Sequence, residues 1–351
     1  MRMTAISVLW RTAAGPRIGY GHLVRSVSLA RALGVPAIVS LRARSAAHTA
    51  ARRLGARLAS ARTADAIAAV RPDLIVLDDP SPRAAAAALA AARRARVPVV
   101  SIHDLGLGWV ASDLLVDGSI VRPARALRAR RQLVGSRFAV LNLSTTGGTR
   151  QVRSDEARRH HEGPRWAAPP TVLVTLGGGP RVRLARAIAA RIVAGHPSVH
   201  VRIAGGFSAR GRPAGPRVTW LPSLPSLEGE LACCDVAVVA GGVSAYEACA
   251  LGTAAIAISV VPPQRVTVEG LARAGAVVDA GHAASGSTTG VASEAAERAL
   301  ALLGDARART ALARTARRLV DGRGAERVAA AIRMLAGRRP SNTRHRISAA
   351  A

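Results

Sequence analysis

AISVLWRTAAGPRIGYGHLVRSVSLARALG, residues 5–34, decides the fold. AISVLW (5–10) is a short apolar run without alternation, which predicts a strand covered on both faces. HLVRSVSLARALG (22–34) spaces its apolar residues as a helix does and ends on a glycine. Between them stand Gly19 and Gly21, then His22, then Arg25 three positions on. A strand, a glycine-bearing turn and a helix make one βα unit of a parallel sheet.

Working outward, the alternation continues. PAIVSL (36–41), DLIVLD (73–78), VPVVSI (97–102) and DLLVD (113–117) are further strands, and residues 81–96 form a helix by composition. After FAVLNL (138–143) the chain turns polar, with glycine and proline and no clear period, and residues 144–170 read as a linker. Its His160–His161 pair has no third ligand at a fixed offset, so it reads as solvated linker rather than a metal site. At residue 171 the pattern restarts. TVLVTL (171–176), HVRIAG (200–205), VTWL (218–221), DVAVVA (235–240) and AAIAIS (254–259) are strands; helices are expected at 181–195, 226–233, 243–251 and 264–274, and over 291–336. The fold class is therefore α/β, with two Rossmann-like units facing a cleft: 1–143, a linker at 144–170, 171–336, and a basic tail at 337–351 that reads as disordered.

Composition narrows the function. The chain has 351 residues, 49% of them hydrophobic, enough for two cores. The formal net charge is +29, yet all 50 basic residues are arginine and they are scattered along the chain. Only 2% of residues are aromatic. Few stacking platforms and no zinc-finger or RNP-like motif argue against specific nucleic-acid recognition, although polyanions would bind by charge alone. Cys233, Cys234 and Cys249 lack zinc spacing and are expected as buried thiols in a reducing compartment. No run reaches membrane-span length and no signal peptide is evident, so a cytoplasmic location is expected.

Three turns carry candidate chemistry. At the first, Gly19 and Gly21 permit positive φ and close backbone approach. The helix beginning near His22 offers free N–H groups and a positive dipole end to an anion. Arg25, at i+3, shares His22's face. The positive end disfavours imidazolium, so a neutral imidazole able to take a proton is expected. A capping histidine beside a surface arginine fits the same spacing. At the second turn, TLGGGP (175–180), Gly177 and Gly178 can turn amides toward a phosphate, or simply form a turn. At the third, AGGVSAYEACALGT (240–253), Gly241, Gly242 and the Ser244 hydroxyl can hold phosphate oxygens. Glu247 can accept from two ribose hydroxyls, or merely complement the helix dipole. Gln264, after VVPP (260–263), begins a helix at the same cleft edge.

GYGHLVR (19–25), TLGGGP, AGGVSAYEACALGT, Gln264 before a helix and ARAGA (272–276) follow in an order that resembles the nucleotide-sugar hydrolases of the pseudaminic-acid pathway. Related spore-coat polysaccharide proteins share the pattern. More distantly it resembles the transferases that add N-acetylglucosamine to the lipid precursor of peptidoglycan. The resemblance runs from about residue 5 to about residue 280, and its most specific element is G-x-G-H-x-x-R. It implies GT-B architecture and a UDP-linked amino or deoxy sugar as substrate, hydrolysed to free sugar and UDP with neither metal nor cofactor. His22 and Arg25 would be catalytic, His22 activating water and Arg25 stabilising the departing UDP. Gly19, Gly21, Gly177, Gly178, Gly241, Gly242, Ser244, Glu247 and Gln264 would bind the nucleotide. A GT-B glycosyltransferase and a non-catalytic nucleotide-sugar binder are the alternatives. The chain departs from the family in LDDPSP (77–82), which lacks a tyrosine after its aspartates, in IHD (102–104), where paired aspartates are usual, and in Pro263–Gln264, where the family has Asn-Gln.

Overall fold

A computed structural model describes residues 6–15, 18–43, 45–105, 111–121, 129, 131–143, 169–177, 181–207, 215–283 and 288–337. The first unit runs β1 (Val8–Ala13), α1 (Gly21–Leu33), β2 (Ile38–Arg42), α2 (Ser45–Arg53), β3 (Arg57–Leu58), α3 (Thr63–Val70), β4 (Leu74–Asp78), α4 (Pro82–Arg94), β5 (Val99–His103), β6 (Leu114–Asp117) and β7 (Gln132–Val134). The second runs β8 (Thr171–Thr175), α5 (Val182–Gly195), β9 (His200–Ala204), β10 (Val218–Leu221), α6 (Glu228–Cys233), β11 (Val236–Ala240), α7 (Val243–Leu251), β12 (Ala254–Ser259), α8 (Gln264–Arg273), β13 (Val278–His282), α9 (Thr288–Gly304) and α10 (Ala306–Leu319), followed by α11 (Gly324–Ala336).

Both sheets are parallel. The first is ordered β3-β2-β1-β4-β5-β6-β7 and the second β10-β9-β8-β11-β12-β13. Strand order reverses between β1 and β4, and again between β8 and β11. Those two points are where open α/β sheets leave a crevice at their carboxyl ends. The turns bearing His22 and Gly241 lie at these crevices.

Strands β1, β4, β5, β6, β11 and β12 are mostly apolar and are buried along their whole length. β1 begins later than AISVLW suggests and continues to Ala13, because its pairing extends to Arg42 on β2 and to Asp78 on β4. Several elements went unforeseen. β3 and β7 are edge strands of two and three residues. Helices α2 and α3 pack through Ala47, Ala50, Ala51 and Ala66, residues too small to mark an apolar stripe in the sequence.

The chain crosses between units twice. Residues 139–143 are the first crossing: Ala139 and Leu141 pack into the second unit's core, and Val140 into the first's. The second crossing differs from expectation. The sequence places residues 324–336 with the second unit, but Val328, Ala329 and Ile332 of α11 join the first unit's core against α1. Their spacing makes one apolar stripe, and α1 supplies its partner surface. Of the expected linker only residues 169–170 are described; His160, His161, Gly178 and residues 338–351 lie outside the described residues.

Two glycines grip the crossing strand. A β-carbon on Gly118 would lie 2.6 Å from Ala139 Cα, and one on Gly324 would overlap the Ala139 carbonyl. Neither neighbour is a flexible side-chain end. Gly324→Ala is therefore expected to cost about 3 kcal/mol, at the upper end for overpacking, read as a lowered midpoint in chemical denaturation.

None of the cysteines is in a disulfide. Cys234 and Cys249 are buried, and burial pushes their thiols up to about 12. Cys233 is exposed, which corrects the expectation that all three are buried; it ends α6 on the outward side. Among the described residues no helix is long and apolar enough to cross a membrane.

Candidate active site

The loop after β1 closes on itself. Gly15 and Gly19 exchange backbone hydrogen bonds of 3.0 and 2.7 Å, and Gly19 has φ +86°, a conformation side chains resist. Tyr20 then stacks, tilted, on Phe207 of the second unit at 5.1 Å between ring centroids. Helix α1 starts at Gly21, so close to α7 that a β-carbon there would lie 3.3 Å from Val243 Cγ2. The amino ends of α1 and α7 thus face each other across the gap between the units. The helix end that bears His22 and the helix end that follows the glycine turn at 241–242 are neighbours.

His22 is oriented by a carboxylate. Its Nδ1 lies 2.8 Å from Asp78 Oδ1. Asp78 ends β4, paired in register with Thr12 of β1, which puts it beneath the first turn of α1. Arg25 grips the same carboxylate with two prongs, Nε to Oδ2 at 2.5 Å and Nη2 to Oδ1 at 2.6 Å, and sends Nη1 to Asp104 Oδ1 at 2.6 Å. Burial pulls the Asp78 carboxyl up, but the charges of Arg25 and His22 and their hydrogen bonds outweigh it and hold it well below the usual carboxylate range. Arg25 Nη2 also lies 3.0 Å from His22 Nδ1, so this ring nitrogen stands between a guanidinium that can only donate and a carboxylate that can only accept. In the neutral tautomer whose Nδ1–H donates to Asp78, Nε2 carries the lone pair, the arrangement that makes a histidine a directed base. The His22 side chain is 17% exposed.

This geometry changes the part expected of Arg25. The guanidinium is buried and committed to two carboxylates, so it does not stand open to a departing diphosphate. It is a positioning residue that fixes Asp78, and through Asp78 the imidazole. Asp78 and Asp104 entered the sequence reading only as departures from a family pattern. The signal available was an aspartate at the carboxyl end of a parallel strand, where such sheets place their ligands.

In the second unit, Gly177 has φ +85° after β8. Gly241 and Gly242 follow β11 under Gln264. A β-carbon on Gly241 would overlap Val268 and lie 3.2 Å from Gln264 Cβ; one on Gly242 would lie 3.2 Å from Gln264 Nε2. Gln264 Oε1 accepts from the Val260 amide at 3.0 Å, which pins the side chain over the turn. Ser244, half-buried, is the second residue of α7.

Glu247 is more enclosed than its sequence position suggests. It is 6% exposed, and Oε1 accepts from the Asn142 amide at 3.3 Å. Asn142, a residue the sequence did not single out, fastens the crossing: its Nδ2 donates to the Pro225 carbonyl at 2.8 Å, and its Oδ1 accepts from Ser28 at 3.1 Å and Arg31 at 3.2 Å. Burial pushes the Glu247 carboxyl up to about 7; the Asn142 amide opposes this and nearby Glu228 adds to it. The folded state therefore holds this proton more tightly than the unfolded chain. The contribution of Glu247 to stability is fully present at low pH and is lost as pH rises between the ordinary glutamate value and about 7, by about 3 kcal/mol at about 1.4 kcal/mol per unit. Glu247→Gln is expected to flatten the midpoint-versus-pH curve between the ordinary glutamate value and about pH 7, measured by urea denaturation.

Among the described residues no group of three His, Cys, Asp or Glu side chains is placed to hold a metal ion.

Neither a protein-family model nor a curated protein matches the chain. Solved structures match its fold. The spinosyn rhamnosyltransferase SpnG complexed with thymidine diphosphate aligns at TM-score 0.61 and 19% identity, over 94% of this chain and 100% of that one. MurG of Acinetobacter baumannii aligns at 0.59 and 15%, over 93% and 99%. MnaA of S. aureus in complex with UDP aligns at 0.59 and 12%, over 95% and 97%. The likeness is one of fold: the chain has the GT-B architecture.

Proposed function

We propose that the chain is an enzyme that cleaves the anomeric C–O bond of a nucleoside-diphosphate sugar and passes the glycosyl group to a hydroxyl. The observation that carries this reading is the meeting of two helix amino ends, one from each unit, beside an imidazole held by a buried aspartate. Helix amino ends favour a diphosphate. As the C–O bond breaks, its electron pair goes to the β-phosphate oxygen, and fixed amide dipoles stabilise the growing charge. The acceptor O–H gives its proton to His22 Nε2, and its oxygen bonds to the anomeric carbon. Glu247 would exchange its single Asn142 amide for the two hydroxyls of a ribose. Structures of the same fold in complex with thymidine diphosphate and with UDP support a nucleoside diphosphate as the ligand class.

Water as the acceptor is the second reading, making the chain a UDP-sugar hydrolase. The Gly19, Gly21, His22, Arg25 motif favours it. Incubating the protein with a panel of UDP- and TDP-sugars, with and without glycan acceptors and with EDTA throughout, separates the two. Release of the diphosphate only with acceptor identifies a transferase, and release without it a hydrolase. Nucleotide binding without release under any condition contradicts both. Loss of release to EDTA contradicts the expected independence from metal.

A further inference from the structure

The first sheet carries a second charged cluster on its opposite face, which the nucleotide reading does not use. Leu9 packs with α3 and α4, and the two-residue period of a strand points Arg11 the same way. Arg11 Nη1 donates to the Ala61 carbonyl at 2.7 Å and to Ser40 Oγ at 3.3 Å, and Nη2 lies 3.6 Å from Asp79 Oδ2. Arg42, at the end of β2, holds the same Asp79 with Nε at 2.9 Å and Nη2 at 2.5 Å. The Ser81 amide adds a third donor to that carboxylate at 3.0 Å.

Two guanidiniums therefore share one carboxylate. A guanidinium does not shed its proton in a protein, so the cluster keeps one uncompensated positive charge. Arg11 is 6% exposed, and among the described residues its Nε has no hydrogen-bond partner. An unfilled donor on a buried cation is costly unless something answers it. Arg42 is 35% exposed, and Ala61 and Pro80 beside it are exposed, so the cluster lies just under the surface. It also lies at the carboxyl edge of the sheet, one residue beyond Asp78.

We propose that Arg11 and Arg42 form a seat for a small oxyanion, a carboxylate or a phosphate carried by whatever the first unit binds. The anion would take the free edge of Arg42 and draw Arg11 Nε into a bond, leaving Asp79 as the hinge between the two guanidiniums. The inference stands apart from the nucleotide reading, since it needs neither nucleotide nor catalysis.

The test titrates the protein with sodium orthophosphate and, separately, sodium glucuronate by calorimetry at fixed ionic strength, with glucose as the uncharged control. Saturable binding of one anion is expected, and which one binds tells phosphate from carboxylate. Arg42→Gln leaves Arg11 and Asp79 as a balanced pair, so it should fold, and it should weaken binding at least tenfold. Arg83→Gln, on an exposed residue of α4, should leave binding unchanged. In the ¹⁵N-labelled wild type, a buried arginine Nε–H resonance should move on saturation, a readout that needs no variant. Absence of saturable binding, or equal weakening by both substitutions, overturns the proposal.

Discussion

Asp78→Ala is expected to cost the fold about 3–5 kcal/mol, the range for breaking a buried ion pair from one side. The reason lies in what remains. Arg25 is buried, and two of its three bonds to carboxylate oxygens go to Asp78, leaving only the partly exposed Asp104 as a carboxylate partner. An uncompensated guanidinium would then stand inside the first unit. The milder Asp78→Asn keeps size and shape but removes the charge that assigns the ring proton to Nδ1. It should fold and still lose activity by roughly 10⁴-fold, the cost of a wrong tautomer. Urea denaturation reads the first effect and turnover with unchanged KM reads the second. An Asp78→Ala protein as stable as wild type would mean that Arg25 is neutralised elsewhere.

His22→Ala should lower turnover by roughly 10²–10⁴-fold, the usual worth of a positioned base. Its effect on nucleotide affinity should be small, because in the proposed complex helix amino ends and glycine amides, rather than the ring, would hold the diphosphate. The split between the two parameters is the informative part. A loss confined to affinity would make His22 a binding residue. The fold should be untouched, since the side chain packs in no core and makes its bond to a carboxylate that Arg25 already holds.

Much of the architecture was legible because parallel strands covered on both faces are written as unbroken Val, Ile and Leu runs. DLIVLD and DVAVVA predict β4 and β11 closely. Gly34 stops α1 in the left-handed conformation, as a glycine after an apolar period should. Elements that pack through alanine, such as α2, left no comparable mark. The return of α11 to the first unit depends on a partner surface far away in sequence, which no local period reveals. At the site the same division holds. The glycines and His22 announce themselves by spacing within one turn. Asp78 lies 56 residues from His22 and Asn142 lies 105 from Glu247, so only the sheet and the crossing strand bring them together. Arg25 illustrates the limit most sharply: its residue type suggested a phosphate ligand, while its burial between two carboxylates makes it a support.

Catalysis as proposed requires a nucleotide diphosphate and the His22 imidazole to share one gap. The most direct measurement is a titration of ¹⁵N-histidine-labelled protein with UDP and TDP, followed by NMR, with the His22 signal assigned by its loss in His22→Ala. Saturable binding of one nucleotide is expected, with the His22 ring resonances shifting along the binding curve while those of His200 and His282 stay in place. Saturation that leaves the His22 signal unmoved, or no binding of either nucleotide, would contradict it.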